Sequence, residues 1–247
     1  MSYGNPVLDF YLQVRKGRVG GHSSLVVVGE NDTVGTTFES LWPEGGLINW
    51  PASAAQLTVS SDSTDDDAGG TGALTLSISG LSTDFSLLTE TITLDGQTGV
   101  TTTNSYYRIN DLTVLTAGST GNNVGNIYIG TGSITTGKPA TVYGLIEPGY
   151  NVAHGGHYTI PKGNSCFQIY CVNSSDSPTM FAQFIRPPGG IFYASGSIFV
   201  DNTQEVKPQV APMMVPGTDY EIRAKALSGT ASATTYVEFL CSDNRAG

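Results

Sequence analysis

Positive charge is scarce in this 247-residue chain: 11 Lys and Arg stand against 21 Asp and Glu, for a net charge of −10. Nucleic acid is gripped through clustered Lys and Arg on its phosphates, and the scattered basic residues here argue against it as a direct partner. Long apolar runs are missing as well. Nothing approaches the ~20 consecutive apolar residues of a membrane span, so no membrane partner is expected. The opening Met1-Ser2-Tyr3-Gly4-Asn5-Pro6 shows no basic region leading into an apolar core, and no secretory route is expected from it. Histidine and cysteine number only three each. His154-Gly155-Gly156-His157 is the single close histidine pair; zinc would need a further ligand, so a loop with two exposed imidazoles is the expectation. Cys166, Cys171 and Cys241 each sit among strand-forming residues and read as buried free thiols. The five-residue offset of Cys166 and Cys171 places them on opposite faces of one strand. Also absent are a Gly-x-Ser-x-Gly elbow and any Gly-rich loop opening a helix. No enzyme and no cofactor are therefore expected, with a glycosidase-type pair among the 21 acids as the residual alternative.

What the chain has in abundance is turn and strand chemistry. Gly 31 and Pro 12, with much Thr, Ser and Val and only 13% charged residues, describe many strands joined by tight turns. Residues 56–61, 73–79, 88–94, 106–116 and 126–130 each alternate apolar with polar side chains, the period-two pattern of a sheet with one buried face. Leu74, Leu76 and Ile78 point one way, Thr75, Ser77 and Ser79 the other. Asp95-Gly96 and Ala117-Gly118-Ser119 stand in the gaps, residues that accept positive φ or bond their own backbone. Further runs follow at 141–146, 157–160, 165–172, 180–186, 191–200, 219–227 and 234–241, split by Pro161-Lys162-Gly163, Pro187-Pro188-Gly189-Gly190 and Pro216-Gly217. The expected class is all-β: an antiparallel, jelly-roll-like β-sandwich, in two domains with almost no helix. On residues 219–227, Tyr220, Ile222, Ala224 and Ala226 point inward, with Glu221, Arg223 and Lys225 in water.

Three segments are expected: an arm with first strands over 1–30, a Gly-rich hairpin domain over 31–137, and a C-terminal sandwich over 138–247. The Thr/Gly/Lys-Pro stretch 131–139 is the boundary, and the charge is uneven across it, net −8 up to Pro139 and net −2 beyond. Residues 7–14 alternate and read as a first strand. The connector 33–51 holds both tryptophans, Trp42 and Trp50, each before a proline that keeps it extended. Such a loop either folds over a sheet edge or reaches a neighbour. Asp62, Asp65, Asp66 and Asp67 form the densest charge. A calcium loop is one reading, but the spacing lacks the closing Glu and the glycine of the twelve-residue form, so a solvated hairpin tip is preferred. Contact with a partner is expected at Tyr3, Arg15, Lys16 and Arg18, at Trp42 and Trp50, and at Ile191, Phe192 and Tyr193.

The run Glu39-Ser40-Leu41-Trp42-Pro43-Glu44-Gly45-Gly46, then 51–61, Gly70-Thr71-Gly72-Ala73, Glu90-Thr91-Ile92-Thr93-Leu94-Asp95-Gly96 and Thr103-Asn104-Ser105-Tyr106 resembles a family of virion structural proteins from tailed bacteriophages. The likeness covers about residues 33–137 and continues more loosely through Tyr158-Thr159-Ile160-Pro161-Lys162-Gly163. It implies a particle component, foremost a capsid decoration (cement) protein bound to the major capsid protein or other virion proteins, with tail or head-to-tail parts next. Decoration also suits a homo-oligomer, a trimer at threefold lattice positions. The acidic loop is longer than the pattern, and His154 to His157 has no counterpart in it. A rival reading is a receptor- or sugar-binding module, with Tyr106, Tyr107, Tyr143 and Tyr150 lining a groove.

Overall fold

The computed structural model describes residues 10–207 and 212–243. Among these residues it is all-β and antiparallel, with one helix. That helix, α1 (Phe10–Arg15), replaces part of the strand expected over 7–14; residues 7–9 lie outside the described residues. The sequence carried its stop signal. Gly17 is at φ 66°, Gly17 N–H donates to Val14 O and Arg18 N–H to Gln13 O, the paired bonds of a glycine C-cap. Val14 is buried, and Arg15 in the last turn pairs with Glu238.

Seven strands build a first sandwich: β3 (Ala55–Ser61), β4 (Ala73–Leu81), β5 (Leu87–Thr93), β6 (Val100–Tyr106), β7 (Arg108–Ala117), β8 (Ile127–Thr135) and β9 (Lys138–Ile146). They form two sheets, in the orders β6-β3-β8-β9 and β5-β4-β7. Leu57, Val59, Ile127, Ile129 and Ile146 from one sheet and Leu76, Ile78, Ile92, Ile109 and Leu112 from the other meet in one core. The expected boundary at 137/138 falls inside the β8–β9 hairpin. Thr136 and Gly137 both have positive φ, 48° and 76°, the two-residue turn whose twist matches paired strands. What read as a linker is a hairpin.

The second sandwich is discontinuous in sequence. β1 (His22–Val34) pairs with β14 (Ala231–Asp243), and β14 with the first half of β11 (Asn164–Arg186). The second half of β11 pairs with β13 (Asp219–Ala226), whose far edge takes β10 (His157–Thr159) and the short β2 (Glu39–Ser40). β12 (Tyr193–Val206) runs back along both halves of β11. Register breaks between Ser175 and Thr179, and Pro178, which has no N–H to give a ladder, sits in the break. One hairpin therefore serves both layers, in the jelly-roll manner. Residues 55–146 are inserted between β2 and β10.

The thiols differ from expectation. Cys166 stands opposite Cys241 across β11 and β14, and the two form a disulfide. Cys166 exchanges both backbone hydrogen bonds with Met214, so its pairing with Cys241 is of the non-hydrogen-bonded kind, in which side chains lie closest. Only a long-range register could reveal this. Cys171 is the free thiol, pushed up to about 11 by burial. It shares a core with Cys166 because register slips between Gln168 and Tyr170, cancelling the odd spacing. Glu221 is another correction. Tyr220, Ile222, Ala224 and Ala226 are buried as expected, but so is Glu221. The connector lies over this face: Ser40 Oγ donates to Glu221, and Arg223 donates to it from the other side.

Two polar clusters pin the sandwiches together. At the first, Asp219 Oδ1 accepts from Arg108 Nε at 2.8 Å and Thr159 Oγ1 at 2.6 Å, while Oδ2 accepts from Arg186 Nε at 2.7 Å. Arg108 belongs to the inserted sandwich, Asp219 and Arg186 to the other. Asn110 and Thr159 exchange side-chain to backbone bonds beside it. At the second, His154 Nδ1 lies 2.8 Å from Glu30 Oε1, and the Glu147 carboxyl lies beside Glu30. Burial first, then the neighbouring Glu30, pushes the Glu147 carboxyl up to about 7; the hydrogen bond from His154 chiefly holds Glu30 below its ordinary range. Asp32 and Tyr150 also face this cluster.

Asp219→Ala should cost about 3–5 kcal/mol in urea unfolding, because it strands two guanidiniums at the seam; a loss within about 0.5 kcal/mol would show that the cluster does not hold the units. A carboxyl raised in the folded state contributes stability that is whole below its unfolded pKa and is lost as pH rises through about 7. The midpoint should therefore fall between about pH 5 and pH 8 by the equivalent of about 1–2 kcal/mol after screening, and Glu147→Gln should flatten that fall. An unchanged slope in the variant would contradict the assignment.

Candidate functional site

Exposed apolar surface and cationic groups meet where β11 turns into β12, at the edge of the seam. Trp50 is held extended before Pro51, whose carbonyl accepts from Arg108 Nη1 at 3.2 Å. Arg186 ends β11 before the Pro187-Pro188-Gly189-Gly190 turn, with Gly189 at φ 70°. Phe192 follows and returns to the ring of Trp50, centroids 5.6 Å apart. The Arg186 guanidinium lies over both rings, 5.0 Å from the Trp50 centroid and 4.4 Å from that of Phe192. Arg108 stacks on Tyr107 at 3.9 Å, and Arg223 reaches Phe192 at 5.1 Å. His157 supports the indole from beneath, at 5.4 Å. Each stacked cation on a desolvated ring contributes about 0.5–2 kcal/mol, so the side chains are held in place before anything binds.

Beside these rings opens a cavity of about 400 Å³, lined by Trp50, Phe85, Tyr107, Arg108, Arg186 and Asp219 among others. Phe85 takes φ 62° and its ring presses on Gly217. A non-glycine residue in that region costs about 1–3 kcal/mol and persists where its surroundings demand it. Ile191 is 82% exposed and Tyr193 50%. An open apolar rim around packed Trp, Phe and Arg has the anatomy of an interaction hot spot.

Of the residues expected to touch a partner, the structure brings together Trp50, Ile191, Phe192 and Tyr193. Trp42 is buried, its Nε1 donating to Gly45 O, in a cluster with Ile48, Tyr128, Val142 and Leu145. The connector thus folds back onto the inserted sandwich at Trp42, and the half-buried Trp50 packs against the same cluster while lining the cavity. Arg15 sits on α1 against β14, with Lys16 and Arg18 following in the C-cap turn. Tyr3 lies outside the described residues. Sequence reading missed Arg108, Arg186 and Arg223; an arginine directly before Pro-Pro-Gly-Gly was the available signal for Arg186. The four tyrosines of the sugar-binding reading do not line one groove. Tyr106 is buried in the inserted sandwich, Tyr143 bonds Thr131, Tyr150 packs on His154, and Tyr107 belongs to the arginine cluster.

The two histidines are not exposed imidazoles: His154 is paired with Glu30, and His157 is buried with both ring nitrogens at carbonyl oxygens. The acidic loop also differs from a solvated tip. Buried Asp66 accepts from Ala73 N and Val124 N through Oδ1 and from Ser61 Oγ and Gly125 N through Oδ2, all within 2.6–2.8 Å. Asp62 accepts from Asn126 and Tyr128. The lone pairs a calcium ion would use hold three loops together, while Asp65 is exposed and Asp67 caps the N–H of Gly69.

No family model matches the chain, and no curated protein does. Among solved structures, a chain from the structure of infectious bursal disease virus Gx strain aligns at 12% identity and TM-score 0.20, covering 91% of this chain and 71% of that one. A chain from the Gt strain aligns at 11% and TM-score 0.20, covering 92% and 74%. At that score the backbones do not superpose as one fold, and neither likeness carries weight for function.

Asp66→Ala should destabilise the protein by about 3 kcal/mol or more, since it leaves buried N–H donors unpaired. Millimolar calcium should raise the melting temperature of neither protein. A melting temperature that rises with calcium in the parent but not in the variant would restore the cation reading.

Proposed function

We propose that this chain is a non-enzymatic virion structural protein of the tailed-phage kind, a decoration protein that grips the outside of a capsid shell. The observation that supports it is the rim of Ile191 and Tyr193 around the stacked Trp50, Phe192 and Arg186, carried on sandwiches locked together at Asp219. Adhesion needs a stiff body, because ordering a loose one on binding subtracts from affinity. The neighbouring carboxyls Glu30 and Glu147 bridge the two sandwiches, which suits a mechanical role better than a catalytic one. The partners under this reading are the major capsid protein and further copies of the chain, with a trimer as the assembly that matches threefold lattice positions. A tail or head-to-tail position would use the same surface against a different neighbour.

Co-sedimentation with purified shells tests this. The parent should pellet with shells, and Phe192→Ala together with Ile191→Ser should weaken binding at least about tenfold, the loss of some 1.4 kcal/mol or more at a hot spot, with the melting temperature nearly unchanged. Deleting residues 1–18 should also abolish shell binding and leave the sandwiches folded, since Val14 is the one buried side chain of α1. A parent that sediments as a monomer and stays in the supernatant would refute the proposal.

A further inference from the structure

The arginine–aromatic cluster contains a donor for which the described residues offer no acceptor. Trp50 Nε1 is shut off from solvent and unbonded. Arg186 turns one edge to Asp219, with Nε donating at 2.7 Å. Its Nη2 lies 2.6 Å from the same oxygen, Asp219 Oδ2, as an ion pair. Asp219 has nothing further to give, because Arg108, Thr159 and Arg186 already occupy both oxygens. Two guanidiniums thus share one carboxylate, and one positive charge is left over beside the cavity. An unmatched buried donor costs about 1–3 kcal/mol, so Trp50 Nε1 beside a surplus guanidinium marks a place prepared for an acceptor from outside.

We propose that the cavity takes a carboxylate, supplied by an acidic side chain of the protein partner. The carboxylate accepts from Arg186 and Trp50 while its aliphatic stem packs against Phe85 and Tyr107. This rests on the docking reading above and names the chemistry of the partner. Charge and shape select the group. A single surplus positive charge matches a monoanion, whereas a phosphate dianion would meet Asp219 uncompensated. The planar guanidinium, already stacked between two rings, matches a planar carboxylate. The exposed Ile191 and Tyr193 beside the opening offer the apolar flank that a polypeptide around the acid would cover.

The two tryptophans give the experiment its internal control. In a nitrogen–proton spectrum, N-acetylglutamate should shift the Trp50 indole signal and the Arg186 Nε–H signal, saturating at about millimolar concentration, as expected of so small a ligand. The Trp42 indole, bonded to Gly45 O, should stay still, and neutral N-acetylglutamine should shift neither. Arg186→Gln should weaken the response at least about tenfold; should that variant not fold, Trp50→Phe, which keeps a ring and removes the donor, should weaken the Arg186 response several-fold. Equal responses to both probes, or an undiminished response in either variant, would overturn the proposal. Loss of shell binding in the Phe192→Ala, Ile191→Ser protein with no response to N-acetylglutamate would overturn the carboxylate pocket and leave docking standing. A specific response combined with unaltered shell binding by Arg186→Gln or Trp50→Phe would overturn the partner's acid as its occupant.

Discussion

A single buried carboxylate, Asp219, sets how the two sandwiches meet. Placing a charge 3% exposed in a protein interior is strongly unfavourable unless it is paired and hydrogen-bonded. Here the pairing comes from both units: Arg108 from the inserted sandwich, Arg186 and Thr159 from the other. Thr159 and Arg186 supply one donor to each oxygen from Asp219's own sandwich and Arg108 adds the donor from the inserted one, so the ion cluster ties the two bodies together beside the Asn110–Thr159 bonds. Gly29 and Gly156 approach so closely that a Cβ on Gly29 would stand 2.6 Å from the Gly156 Cα, which brings that linker tight against β1. The site is a consequence of this. Trp50, Tyr107 and Arg186 face one cavity at the place where Asp219 joins the start of β7 to the end of β11.

The fold class was legible because it rests on local pattern. Period-two alternation and turn residues identify strands such as β4 and β5 whatever they pair with. What the sequence hid was pairing. Thr136-Gly137 is both a flexible-looking linker and a two-residue hairpin turn, and only β9 lying against β8 decides between them. Cys166 and Cys241 meet through a register that no spacing encodes, and a slip beside Ile169 reverses the face on which Cys171 falls. Charged residues misled for the same reason. Asp66 and Glu221 look like surface groups until loops and connector supply their donors. Trp50, Ile191, Phe192 and Tyr193 were visible as unusual exposed candidates, but their convergence and the arginines behind them depend on tertiary contacts.

The functional account joins these points. On a two-sandwich body with net charge −10, a small region of opposite character, apolar at its rim and cationic within, is held in shape by stacking and by one carboxylate. The polar clusters elsewhere in the chain are engaged in holding loops and units together.

Imaging intact particles at near-atomic resolution and fitting this chain into them tests the central claim most directly. The account predicts density for both sandwiches on the shell, with Trp50, Ile191 and Phe192 covered by a neighbouring subunit. Particles that lack the chain, or that carry it with this face open to solvent, would contradict it.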